Sequence, residues 1–297
     1  MKTFSFEEKR IRSLLPVGQT FLLNNEKFKI IFAGKPTCSK GEPKTDIYVF
    51  AKNQEGRAIE LKISFKKENA DFLENKTNSE RAEQLFGCEW SKIIMNSTTS
   101  IKDSFLSRPL IYKQKYRRTE EGSITLGWKF ELINKPGGEL SGSMKLSKEQ
   151  VIDVYAGTNL IGDKRNSNVG GKVIPNSGIA NYILMNDSAV STQDVIDNLI
   201  PVEDYVDMYP NIYFACKALN YRTFVKKWDG NRPLSVYIDW SVEKNRLVPN
   251  FIFESPLSIK ANEVANKLIR CLNQLGIQDT NDININNVCD KSFVYGL

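Results

Sequence analysis

Within Ala58-Ile59-Glu60-Leu61-Lys62-Ile63-Ser64-Phe65, apolar and polar side chains alternate from Ile59 to Phe65. A period of two is the signature of a strand with one buried face. Ile59, Leu61, Ile63 and Phe65 fall on the apolar side, and Glu60, Lys62, Ser64 and Lys66 on the other. A second β-prone run, Ile47-Tyr48-Val49-Phe50-Ala51, precedes it across the polar loop Lys52-Asn53-Gln54-Glu55-Gly56, so the two are predicted to form a hairpin. Pairing Ala51 with Arg57 around that loop sets Asp46 opposite Lys62 and makes Glu60 its diagonal neighbour, within about 7–8 Å. A slip of one residue would put the two carboxylates on opposite faces.

The elements around this hairpin predict a mixed α/β fold. Phe6 to Leu15 reads as a short helix ended by Pro16, and Phe28 to Ala33 as a strand followed by a turn-rich stretch. Thr77-Asn78-Ser79-Glu80 has capping-box spacing and opens a helix with Ala82, Leu85 and Phe86 inward, interrupted at Gly87. The middle is β-rich: Leu110 to Tyr116, Ser123 to Ile133 and Leu140 to Leu146. Ser147-Lys148-Glu149-Gln150 then caps a helix that stops at Gly157. Gly157 to Gly178, rich in Gly, Asn and cations, reads as a long surface loop. Helical signals cover Thr192 to Leu199, Ile212 to Trp228 and Ile259 to Leu275, and strands are predicted over Leu234 to Trp240 and Leu247 to Phe253. The domain expectation is a core over 1–105, with 106–297 as a further region that completes its sheet. Leu110–Tyr112 and Leu234–Trp240 are the candidates for its fourth strand.

Among 297 residues there is no histidine. Ser-His-Asp triads, His-ligated zinc and histidine general bases are therefore excluded, and catalysis must come from carboxylates, lysines, hydroxyls, cysteines or recruited ions. Five cysteines, never in a C-x-x-C pair, argue against a disulfide framework or a thiolate zinc site and for a reducing, cytoplasmic setting. The amino-terminal segment lacks the apolar run of a secretory signal, and no stretch has the roughly 20 apolar residues that span a bilayer. The net charge of +6 permits a polyanionic partner without requiring one.

Lys44-Thr45-Asp46, a hairpin, and Glu60-Leu61-Lys62 on the returning strand resemble the PD-(D/E)XK nuclease superfamily, which includes many type II restriction endonucleases. The resemblance covers about the first third of the chain; Pro43 stands three residues ahead of Asp46 rather than beside it. It implies a restriction-endonuclease-like core, a central mixed sheet flanked by helices, with a β-rich middle and an α+β C-terminal part beyond it. It also implies magnesium dependence, with manganese as a substitute, and hydrolysis of double-stranded DNA to leave 5′-phosphates. Asp46 and Glu60 would hold the metal and Lys62 would be the catalytic lysine, so Lys62→Ala should abolish cutting. Glu7, Glu8 or Glu42 would supply a further acid. Restriction enzymes of this type commonly act as dimers, which implies a homodimer, with 106–297 serving DNA recognition and dimer contacts. A repair, recombination or phage nuclease of the same superfamily, and a DNA-binding module without activity, are the alternatives. The plainest alternative for Glu60, Lys62, Ser64 and Lys66 is the solvated face of a half-buried strand.

Cations suited to phosphate contact are Lys66 and Lys67 at the strand end, then Lys113, Lys115, Arg117 and Arg118 in the β-rich middle. Lys164, Arg165 and Lys172 of the Gly-rich loop complete the set. A charged edge strand or a plain connection would look the same.

Overall fold

The computed structural model describes residues 4–66, 72–74, 77–185 and 188–297. The chain divides into two compact units, one of Met1–Asp71, Gln84–Gly87 and Leu146–Asn211, the other of Phe72–Glu83, Cys88–Lys145 and Ile212–Leu297. The first unit thus takes in a segment from beyond residue 145 as well as the amino-terminal part of the chain.

The first unit is built on a six-stranded mixed sheet. Its strands, in spatial order, are β1 (Thr20–Leu23), β2 (Glu26–Gly34), β3 (Ile47–Asn53), β4 (Ala58–Phe65), β5 (Tyr182–Leu184) and β6 (Leu199–Pro201). All neighbours are antiparallel except β4 and β5, which run parallel. The strand beside β4 is therefore Tyr182–Leu184, and both expected candidates, Leu110–Tyr112 and Leu234–Trp240, lie in the second unit. A run of three residues is too short to stand out as a strand in sequence. Pairing along β4 selects it.

Alternation along these strands does what the sequence predicts. Phe28 and Ile30, Ile47, Val49 and Ala51, and Leu61, Ile63 and Phe65 form one buried face. Ile11 of helix α1 (Phe4–Ser13) and Leu15 just beyond its end close that core, with Val195 and Ile196 of a helix over Thr192–Asp197. Lys148–Ala156 is a helix with the Ser147/Gln150 capping box and a left-handed stop at Gly157 (φ 73°), both legible in the sequence.

The expected loop from Gly157 to Gly178 is instead folded. Gly162–Arg165 is a helical turn, and Asn168–Val169 pairs with both Lys172–Val173 and Pro36–Thr37. Ser167, Val169 and Ser177 are buried within it. Its backbone groups find partners locally, for example Gly178 N–H to the Arg165 carbonyl at 2.9 Å, so glycine here buys close packing rather than freedom.

The second unit is a larger sheet centred on Ser123–Ile133, flanked by Tyr213–Arg222 and Val236–Glu243. Helix Ala261–Gln274 belongs to the same unit. Tyr213–Arg222 falls in the segment predicted as a helix over Ile212 to Trp228. Its apolar residues fit either period, and ten-residue pairing with the buried central strand decides for β. The strand expected over Leu110 to Tyr116 is confined to Ile111–Tyr112, after which Tyr116 and Thr119 pair across a turn. No helix of the described residues is long and apolar enough to cross a membrane.

Candidate functional site

The hairpin register differs from the expected one by two residues. Asn53 N–H donates to the Arg57 carbonyl at 3.0 Å, closing a three-residue loop with Gly56 at φ 85°. Ala51 accordingly faces Ile59, Tyr48 faces Lys62 and Ile47 faces Ile63. Extending that register by one puts Asp46 opposite Ser64. A shift of two preserves the face, so Asp46 stays on the side of Glu60 and Lys62. It changes the distances, however. Lys62 becomes the diagonal neighbour, and Glu60 lies four residues along the strand, roughly 13 Å away at about 3.4 Å per residue. The expected sharing of one ion by Asp46 and Glu60 does not follow from this register.

Glu60 has its own partners. Its Oε1 accepts a hydrogen bond from the Tyr48 hydroxyl at 2.5 Å, and its Oε2 lies 4.0 Å from Lys62 Nζ. Burial, and then the carboxylate, push the Tyr48 phenol upward and keep it protonated. Asn181, just ahead of β5, braces this stretch of backbone. Its Oδ1 accepts from Lys62 N–H at 2.7 Å and its Nδ2 donates to the Glu60 carbonyl at 2.9 Å.

Asp46 sits one residue ahead of β3. Its N–H donates to the Ile63 carbonyl at 2.9 Å, and its Oδ2 accepts from Phe65 N–H at 2.8 Å. The carboxylate is thereby tied to the triplet Ser64-Phe65-Lys66. Burial raises its pKa to about 6; the Lys66 charge and the Phe65 N–H oppose the rise, the Glu8 carboxylate adds to it, and Lys35 opposes it. Glu8, buried on α1, accepts from Lys35 Nζ at 2.9 Å and lies 3.8 Å from an Arg12 nitrogen. Ser64 is fully buried on the Asp46 side of the sheet, and its Oγ has no hydrogen-bond partner among the described residues. An unmade hydrogen bond at a buried hydroxyl costs about 1–3 kcal/mol, so a partner for Ser64 would be favourable here.

The structure therefore brings together Asp46, Glu8, Lys35, Ser64 and Lys66. Ser64-Phe65-Lys66 runs past Asp46 and is tied to it by the Phe65 N–H. Among the described residues no group of three or more acidic or thiol side chains gathers as a metal cage. Magnesium commonly takes one or two carboxylates and keeps several waters, so a donor set of Asp46, Glu8 and the Ser64 hydroxyl fits it. Glu7 is paired instead with Arg10 at 2.8 Å, and Glu42 is exposed on the preceding turn. Ser64 and Lys35 were not singled out from sequence, and Lys66 only as a phosphate contact. The signal for Ser64 and Lys66 was Gly56, whose left-handed turn fixes a three-residue hairpin loop and hence the register, whereas no local signal marks Lys35.

The remaining cations are placed as follows. Lys67 lies outside the described residues. Lys113 donates to the carbonyls of Asn281 and Ile283 at 3.1 and 2.6 Å and serves its own unit. Lys115 pairs with Glu120 at 3.6 Å, Arg117 pairs with Glu139, and Arg118 is exposed. Arg165 is spent on Asn176 and the Thr158 carbonyl. Lys164 is half-buried, with its side-chain carbons near Gly41, and Lys172 lies over the Phe32 ring at 5.8 Å.

The loop carrying Asp46 is anchored by Gly178, whose carbonyl accepts from Lys44 N–H at 2.9 Å and Thr45 N–H at 3.2 Å. A Cβ at Gly178 would lie 1.7 Å from the Lys164 carbonyl oxygen. Gly178→Ala is expected to destabilise the chain by about 1–3 kcal/mol, as overpacking does. Chemical denaturation measures it, and an unchanged midpoint would show that this anchor yields freely.

Compared with known protein families, curated proteins and solved structures, the chain has no match.

Proposed function

We propose that this protein is a magnesium-dependent, site-specific endonuclease acting on double-stranded DNA, of the PD-(D/E)XK type, that leaves 5′-phosphates. The observation that carries the reading is the Asp46 carboxylate, strained toward its neutral form by burial yet set among Glu8, Lys35, Lys66 and an unpartnered Ser64 hydroxyl. A buried carboxylate shifted in this way beside specific charge partners is a functional-site candidate. The mixed sheet, with an antiparallel hairpin beside a parallel strand, agrees with the core the resemblance implies.

In this reading Asp46 and Glu8 hold the cation, assisted by Ser64. The bound ion would neutralise charge developing on the phosphate and lower the pKa of a bound water. Lys66, tethered to Asp46 through the Phe65 N–H, orients the attacking water or stabilises the crowded phosphate. Lys35 holds the Glu8 carboxylate at 2.9 Å and so fixes its direction. Tyr48, Glu60 and Lys62 form a separate hydrogen-bonded group along the same face, and their role is to shape the floor next to the site. A homodimer would let two such sites cut two strands.

The test is digestion of supercoiled plasmid with magnesium, with manganese and with chelator. Discrete fragments only in the presence of metal are expected. A smear would indicate cutting without sequence choice, and intact plasmid in every metal would leave a binding module.

A further inference from the structure

The face of the sheet that carries Asp46 is closed at one end and open at the other. At the β4–β5 end Ser64 and Ile183 are fully buried. Beyond the buried Tyr48, toward the hairpin-turn end of β2 and β3, it is open, with Lys27, Lys29 and Lys52 exposed and Phe32 and Phe50 half-buried. Register places Phe32 directly opposite Phe50, and Lys29 directly opposite Lys52. Like charges directly opposed on an antiparallel pair repel and destabilise the sheet. Neither Lys29 nor Lys52 has an ion-pair partner among the described residues, whereas the carboxylate nearest them on this face, Glu60, is engaged by Tyr48 and Lys62. The rings have cations beside them: Lys52 Nζ lies 5.7 Å from the Phe50 centroid and Lys172 Nζ 5.8 Å from the Phe32 centroid.

Uncompensated lysines call for a polyanion, and paired aromatic rings between them call for flat apolar groups. A double helix presents phosphates but keeps its bases stacked inside. An acidic peptide presents charge without rings. An unpaired nucleic-acid strand presents both, at a spacing in which bases stack on aromatic side chains while a cationic groove follows the backbone. We propose that this open sheet face docks a single nucleic-acid strand, its phosphates against Lys29, Lys52 and Lys172 and its bases against Phe32 and Phe50. The surface goes beyond the endonuclease reading and does not need it, because docking requires no metal and no cleavage.

Fluorescence anisotropy of the full chain in chelator tests it, with labelled oligothymidylate, oligouridylate and a duplex of about 16 nucleotides, long enough for a single binding module. Oligothymidylate is expected to bind at least about ten-fold tighter than the duplex. Phe50→Ala should weaken it about ten-fold, in line with the loss of one stacked base. Lys52→Gln should weaken it and reduce the slope of log affinity on log salt by about 0.7, the value for one phosphate contact on a single strand. Equal binding of oligouridylate identifies a strand of either sugar, and weaker binding identifies DNA; both support the surface. Preference for duplex, wild-type affinity in both folded variants, or binding only to phosphatidylserine vesicles overturns it. Plasmid cleavage that survives such a result would leave the endonuclease reading standing, and strand binding without cleavage would leave this one.

Discussion

Asp46→Asn is expected to abolish metal-dependent cutting and, at the same time, to stabilise the fold. The first effect should reach about 10²–10³-fold or more, the scale on which removal of a single electrostatic stabiliser acts. The second follows from linkage. Burial raises the Asp46 pKa from 3.8 to about 6. The folded state therefore holds its proton more tightly than the unfolded chain does, and the ionised carboxylate penalises folding. The penalty is absent below pH about 4, grows between 4 and 6, and is complete above 6. A shift of this size corresponds to about 3 kcal/mol. Asparagine keeps an oxygen for the Phe65 N–H and carries no charge, so it escapes the penalty. Denaturation in chelator across pH 3.5 to 8 should show the variant gaining on the wild type as pH rises through that window. A variant less stable than wild type at pH 7.5 would show that the carboxylate is a structural acceptor and no more.

The second large effect distinguishes two lysines. Lys66→Ala is expected to cut cleavage by about 10²–10³-fold with little change in stability. Lys62→Ala should lower it much less, because Lys62 faces Tyr48 and sits 4.0 Å from Glu60, away from the triplet tied to Asp46. Single-turnover cleavage at saturating metal compares them. Loss with Lys62→Ala and full activity with Lys66→Ala would return the chemistry to the Glu60 end of the strand.

Much of this arrangement was legible before any coordinates. Alternation of Ile59, Leu61, Ile63 and Phe65 gave the buried face, because burial rewards a period of two and nothing competes with it in a strand so regular. The caps at Ser147 and Gly157 marked a helix for equally local reasons. What could not be read was set by contacts distant in sequence. Tyr182–Leu184 is a strand because β4 offers it a parallel edge, and Tyr213–Arg222 because Ser123–Ile133 pairs with it. The candidate site fell between these cases. Its face was correct, since a two-residue shift cannot change it, but the neighbour of Asp46 moved from Glu60 to Ser64 and Lys66 with the length of one loop. Gly56 held that information locally, in a left-handed turn at φ 85°.

The central claim is that Asp46 binds a divalent cation in order to cut DNA. Its most direct test is digestion of plasmid by wild type and Asp46→Asn in parallel, with magnesium and with chelator. The account predicts discrete fragments from the wild type with magnesium and intact plasmid in the other three reactions. Equal cutting by both proteins in magnesium would contradict it.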